Sequence, residues 1–198
     1  MIDADRFIAN KALDFDGWLE ARRSGVTATE VAKASTASGR AELLSRWENP
    51  TVQEDNAFMA FGRHMEGPIS MWVKDQFEVL PNEWLIVGDN PAHMATPDGL
   101  SIMHGIISEI KTTGKDFTKE IPIQYRRQVQ WQLFVTGATR CHFVWMLRVE
   151  DKQGNFQPGW MEPKHKIISR DEDMIEDLVA TASSLLMEKR RIHAVSEA

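Results

Sequence analysis

The segment that most constrains this chain is Ile106-Ile107-Ser108-Glu109-Ile110-Lys111, with ten residues separating its Glu109 from Asp98 of the upstream turn Pro97-Asp98-Gly99. A short run rich in β-branched apolar residues predicts a strand. Alternate side chains of a strand share a face, so Glu109 and Lys111 point the same way, roughly 6.6 Å apart. Ile110 then points into an opposite, apolar layer. A strand with charged chemistry on one face and an apolar layer on the other must lie between packed elements. The rest of the chain supplies them: helical patterns come first, then strands with helices interleaved. This predicts an α/β fold with a mixed central β-sheet flanked by helices, residues 1–198 forming a single domain.

Residues 18–23 read as a short helix. Thr27 and Glu30 have capping-box spacing at a fresh helix start, and residues 40–48 form a third helix closed by Asn49-Pro50. Residues 55–77 carry apolar side chains near the 3.6-residue period, with Pro68 expected to kink the helix or mark a junction. Strands are expected at 84–87, 93–96 and, as a clear alternation, 141–149, with a helix over 124–135 between the last two. Ser169 and Glu172 read as a second capping box, opening a helix through Met174, Leu178, Leu185 and Leu186.

The start, Met1 to Arg6, is acidic with no apolar run behind it, which predicts no secretory signal. No stretch approaches the ~18 apolar residues of a membrane span. The lone Cys141 cannot form an internal disulfide and sits at strand spacing with Phe143 and Trp145, as a small buried hydrophobe does. The histidines show no metal-ligand spacing, and a cytoplasmic protein is expected. The tryptophans read mostly as core, Trp131 alone being on a helix that could approach a nucleic acid. A net charge of −6 argues on its face against a DNA partner. The charge is uneven, however. Lys111, Lys115, Lys119, Arg126 and Arg127 face only Asp116 and Glu120 in their stretch, while acids gather after Glu150. Local charge decides where an anion binds, and the basic residues lie beside the Glu109–Lys111 strand.

A hairpin from Asp98 back along Glu109 brings two carboxylates together, and such a pair repels unless a cation sits between them. Hard oxygen ligands suit Mg²⁺ or Mn²⁺, which also take phosphate oxygens. Lys111 could then orient an attacking water or stabilise charge on a phosphate. Glu66, on a helix face with Gly62, Ile69 and Val73, is costly there unless something pairs with it. In Tyr125-Arg126-Arg127-Gln128-Val129-Gln130 the amides can bond phosphate or the acids. Trp18 to Thr29 carries Arg22 and Arg23 and ends at a helix start, where free N–H groups favour an anion.

Pro97-Asp98-Gly99 with Glu109-Ile110-Lys111 resembles the PD-(D/E)XK nuclease signature. With the segments at Trp18–Thr29, Phe61–Glu66 and Tyr125–Gln130, the chain resembles the lambda-exonuclease, or YqaJ-type viral recombinase, family from about Trp18 to Val149. The resemblance implies a restriction-endonuclease-like core and 5′-to-3′ digestion of linear duplex DNA. It also implies a ring-shaped homotrimer, a partner single-strand annealing protein, and a phage or prophage origin with action in the bacterial cytoplasm. By the same resemblance Asp98, Glu109 and the Ile110 carbonyl are metal ligands and Glu66 contacts a metal directly or through water. One or two Mg²⁺ ions are implied, Mn²⁺ substituting. Lys111 is the catalytic lysine and Gln128 the glutamine that follows the motif. Arg22, Thr29 and Thr96 fall where the family binds the 5′-terminal phosphate, Gln130 joins the DNA-contacting set, and Met59 sits where an apolar wedge parts the strands. Counting back from Thr29 selects Arg22; one inserted residue selects Arg23. Two other readings are an endonuclease on this fold and a catalytically silent DNA-end-binding module.

Overall fold

The structure, a computed structural model, describes residues 3–50 and 55–196. Met1 and Ile2 of the acidic start, and the side chain of His193, lie outside that description. A 3-10 turn (Ala4–Arg6) leads into β1 (Phe7–Asn10), α1 (Phe15–Arg23), β2 (Val26–Thr27), α2 (Ala28–Ala34), α3 (Ala37–Glu48) and α4 (Ala57–Phe77). Five strands follow: β3 (Leu80–Pro81), β4 (Trp84–Val87), β5 (His93–Ala95), β6 (Gly99–Ser101) and β7 (Ile106–Thr113). Then come α5 (Ile123–Thr136), β8 (Arg140–Glu150), β9 (Phe156–Pro158), β10 (Lys164–Ser169) and α6 (Glu172–Ser196).

Local chemistry sets these boundaries. Asp14 and Asn56 accept backbone N–H groups in the first turns of α1 and α4. The capping box at α2 forms as expected, with Glu30 accepting the Thr27 N–H at 2.8 Å. α5 ends where Gly137 turns into the left-handed region at φ 71°. Two expectations need correction. α4 runs unbroken through Pro68, where both Pro68 and His64 are exposed, so water can take the carbonyl bond that proline cannot donate to. The second capping box does not form: Ser169 belongs to β10, and Asp171 takes the Met174 N–H at 3.1 Å, while Glu172 pairs with Arg170.

Two sheets carry the fold. One has the order β1-β4-β5-β2; the other has the order β10-β8-β7-β6-β3, with β9 paired to β8. β7 and β8 run parallel through eight residues, from Ile106↔Arg140 to Thr113↔Leu147, with α5 as the crossover between them, whereas β6 and β10 are antiparallel to their neighbours. The sheet is therefore mixed. On one side Ile107, Cys141, Phe143 and Trp145 pack with Val129, Leu133, Leu178 and Leu185 in the layer of α2, α3, α5 and α6. On the other, Ile106, Ile110, Val144 and Met146 pack against Ile69 and Val73 of α4. β8 was expected to alternate, yet Cys141 to Met146 are buried on both faces, as a strand between two helical layers must be.

β1, β9 and β10 carry no clear apolar pattern. β10 pairs along its length with β8, but its start is Lys164, His165 and Lys166. Trp131 is wholly buried, and its indole N–H donates to the Met94 carbonyl at 3.0 Å, so it faces the interior and not a nucleic acid. Among the described residues no helix is long and apolar enough to cross a membrane.

Gly99 opens β6 because nothing larger fits. A Cβ there would stand 2.3 Å from Ser108 Oγ on β7 and 3.2 Å from the Leu80 carbonyl on β3. We expect Gly99→Ala to push β6 from its neighbours at a cost of roughly 1–3 kcal/mol. Urea unfolding measures this, and an unchanged midpoint would show that the sheet yields freely.

Candidate active site

Antiparallel pairing of Gly99 with Ser108 brings Asp98 alongside Glu109 at the end of the β6–β7 pair. Asp98 Oδ2 accepts the Ile110 N–H at 2.6 Å, which fixes the turn residue to the strand. Glu109 is 2% exposed. Its Oε1 accepts the Gln128 amide at 2.6 Å and the Lys111 ammonium; its Oε2 accepts the Gln132 amide, also at 2.6 Å. Lys111 also lies over the Tyr125 ring, 5.3 Å from its centroid. Ile110 packs the other way, with the α4 layer. The alternation read from the sequence is thus the alternation of the site.

The electrostatics are unbalanced. Burial pushes the Asp98 carboxyl well above the usual carboxylate range, the Glu109 charge adds to this and Glu66 contributes further. Lys111 and the Ile110 N–H oppose it. Burial works against the Lys111 charge as well, but Glu109 and Asp98 outweigh it and hold the ammonium protonated above its ordinary range. One cation thus serves three acids in a desolvated site, an arrangement that accommodates further positive charge.

These residues line a cleft of about 240 Å³. Glu66 reaches it from α4, Gln128 and Gln132 from α5, and Arg22, Thr29 and Thr96 line it as well. Arg22 rests over the Trp18 ring at 4.3 Å and is partly desolvated, which lowers its pKa against the nearby Glu30. Arg23 is exposed and pairs with Glu20. The cleft therefore takes Arg22 of the two. The Thr96 hydroxyl is buried without a hydrogen-bond partner. At the α2 start the Glu30 carboxylate already occupies the Thr27 N–H and hydroxyl, so that end of the helix is less open to an anion than its sequence implies. Met59, 36% exposed, lines a second cavity of about 340 Å³ that shares Glu66, Asp98 and Lys111 with the first.

Gln130 does not join the site. It is 1% exposed, its amide donates to the Ser169 carbonyl at 2.8 Å and its carbonyl accepts the Asp171 N–H. Two residues along a helix do not face the same way, so Gln130 points away from Gln128 and ties α5 to β10. Gln132, four residues on, does share that face. Its i, i+4 spacing from Gln128 was the signal that would have found it.

Among the described residues, no three His, Cys, Asp or Glu side chains are gathered closely enough to hold a metal by themselves. Asp98, Glu109 and the Ile110 carbonyl are nevertheless hard oxygen donors, and the excess of negative charge suits a divalent cation. The model of the YqaJ-like viral recombinase domain matches residues 17–139, well over half of the sequence. The chain belongs to the YqaJ-like viral recombinase family. Among solved structures it is similar to the alkaline exonuclease LHK-Exo of Laribacter hongkongensis, at 26% identity and TM-score 0.71 over 92% of this chain and 96% of that one. The LHK-Exo complex with dAMP is similar at 24% identity and TM-score 0.67, with the same coverages. A phage-related exonuclease from Haemophilus somnus 129PT shares the fold at 11% identity and TM-score 0.67, over 87% of this chain and 96% of that one. No curated protein matches the chain. With these likenesses, the YqaJ-like core is a PD-(D/E)XK-like exonuclease fold, as the resemblance implied.

Two outcomes follow for stability. A carboxyl whose folded-state pKa is raised holds its proton more tightly folded than unfolded. Its contribution is therefore greatest below the ordinary carboxylate range and is lost as pH climbs toward its folded-state value. Cation-free Asp98→Asn should melt higher than the native chain at pH 8, by about 2–4 °C per kcal/mol recovered. Melting curves in EDTA from pH 5 to 8 should show the gap widening, and a constant gap would reject the cause. Gln132→Ala, which strips one Glu109 oxygen of its donor, should cost about 1–3 kcal/mol in the same denaturation assay.

Proposed function

We propose that this chain is a divalent-cation-dependent exonuclease that digests one strand of linear double-stranded DNA from its 5′ end. The product would be 3′ single-stranded overhangs for strand annealing in phage-type recombination. The observation that carries the reading is that one cleft gathers two groups: Asp98, Glu109 and protonated Lys111, and with them Arg22, Thr29 and Thr96. A strand entering that cleft has its end at the second group and a phosphodiester at the first.

In this reading Arg22 pairs with the terminal phosphate, while the Thr29 and Thr96 hydroxyls donate to it. The buried, unpartnered Thr96 hydroxyl supports that role. Asp98, Glu109 and the Ile110 carbonyl would hold Mg²⁺, or Mn²⁺ in its stead, with Glu66 contributing directly or through water. One or two such ions, when bound, would lower the pKa of a water and polarise the scissile phosphate. Gln128 and Gln132 keep the Glu109 carboxylate in one orientation. Lys111, held protonated by Glu109 and Asp98, acts as a fixed positive charge toward the attacked phosphate rather than as a base. Met59 lines the second cavity, where in this reading the strands would part.

The reading extends to residues 1–198 working as one domain, a ring-shaped homotrimer, a single-strand annealing partner and action in the cytoplasm of a bacterial host. A ring would keep an acidic chain on its substrate by topology, with few phosphate contacts. Its net charge of −6 is compatible with that.

The test is a time course on linear and covalently closed duplexes, with and without a 5′ phosphate, in Mg²⁺. Expected are mononucleotides from the linear duplex, faster with the phosphate, and none from closed circles. Cutting of circles would overturn the exonuclease reading in favour of an endonuclease. Lys111→Ala should lose about 10²–10³-fold in rate while still binding DNA, and full residual activity would remove Lys111 from the mechanism.

A further inference from the structure

The second cavity contains a cation that no step above uses. Arg148, near the end of β8, lines it together with Phe58, Met59, Glu66, Asp98 and Lys111. The residue lies beyond the segment matched by the family model. Its guanidinium sits 4.2 Å from the centroid of the Phe58 ring and 5.2 Å from that of Phe156. The two rings are stacked on each other, 5.0 Å apart at 28° between planes. Phe58 is half exposed.

Arg148 is partly buried. Arg148 has no ion pair and no hydrogen bond to an acid among the described residues, although Arg63 nearby on α4 pairs with Asp55. What holds it is the aromatic surface. A guanidinium within about 6 Å of a ring face is attracted to it and loses freedom there, while its N–H edge stays available. That edge suits a phosphate, which a guanidinium can meet with two parallel bonds.

The two cavities share Glu66, Asp98 and Lys111, so both open on the same centre. Resting on the proposed function, with the 5′ end in the first cavity, the remaining strand leaves through the second. We infer that Arg148, braced on Phe58 and Phe156, is a second phosphate anchor that grips the DNA strand on the 3′ side of the scissile bond. Arg22 and Arg148 would then hold the strand on both sides of the reacting phosphate, which lowers the entropy of alignment. Phe58 offers its free edge to the sugar or base of that same nucleotide.

The test is equilibrium binding, measured by fluorescence anisotropy of a 5′-phosphorylated linear duplex across a salt series, with Ca²⁺ replacing Mg²⁺ to prevent turnover. Arg148→Ala is expected to weaken binding about tenfold at moderate salt and to reduce the slope of log K against log salt by about one phosphate contact. Arg148→Lys should keep the slope and lose part of the affinity, because an ammonium meets phosphate as a point charge. Circular dichroism checks that each variant is folded, and Arg148→Gln, which retains the stem, serves if the alanine variant is not. Native slope and affinity in Arg148→Ala, with native digestion of the same duplex intact, would overturn the anchor and leave the exonuclease reading standing. A native chain that binds but never digests, and loses one slope unit in Arg148→Ala, would support the anchor and sink the exonuclease reading.

Discussion

A carboxylate that is 2% exposed must have every oxygen occupied, and the arrangement around Glu109 follows from that requirement. Gln128 and Gln132 can both reach it only if α5 runs along the sheet face with its 128/132 side toward β7. α5 can do so because it is the crossover between the parallel strands β7 and β8. The same helix must also bury Trp131, Leu133 and Val135 on its other sides, so its sequence shows no polar stripe. Lys111 completes the set from two residues along the same strand, on the same face. Four side chains from two elements thus fix the depth and rotation of the helix against the strand.

The opposite face of β7 has a different task. Ile106 and Ile110 bury against Ile69 and Val73, which seats α4. Seating α4 carries Glu66 to the rim of the cleft. One strand therefore orders three groups of acids and bases: its own, those of the α5 face and that of α4. The end pocket is braced separately. Lys189 of α6 is buried and donates to the Gly25 carbonyl at 2.6 Å, directly before the Thr27 and Thr29 segment. Burial lowers its pKa, with Glu30 opposing the shift. The C-terminal helix thus stabilises the turn leading into β2 and into α2, the helix that carries Thr29.

The parts of the site that were legible in the sequence are those in which chemistry and periodicity coincide. Glu109 and Lys111 flank an apolar residue at strand spacing, and Asp98 sits in a Pro-Asp-Gly turn, so their juxtaposition could be read directly. Glu66 was visible as a charge on a largely apolar helix face. Helical phase was the harder signal. Gln128, Gln130 and Gln132 are chemically identical, and only the packing of Trp131 inward decides that Gln130 turns to Ser169 while its neighbours turn to Glu109. β10 was hidden because an edge strand needs an apolar partner on one side only and carries lysines on the other. Arg148 was hidden because its partners, Phe58 and Phe156, are brought to it by α4 and β9, two elements far apart in the chain.

The site also shows where folding and chemistry pull in different directions. Asp98 is placed beside Glu109 by strand pairing, yet among the described residues it forms no ion pair; Lys111 pairs with Glu109, and a backbone N–H is Asp98's hydrogen-bond donor. A neutral residue at position 98 would satisfy the same N–H without the repulsion. Selection for stability alone does not explain an acid there. Under the proposed function, the retained repulsion is the attraction for a cation. Under the same proposal, an acidic chain works on a polyanion because Arg22, Lys111 and Arg148 line the path of the strand.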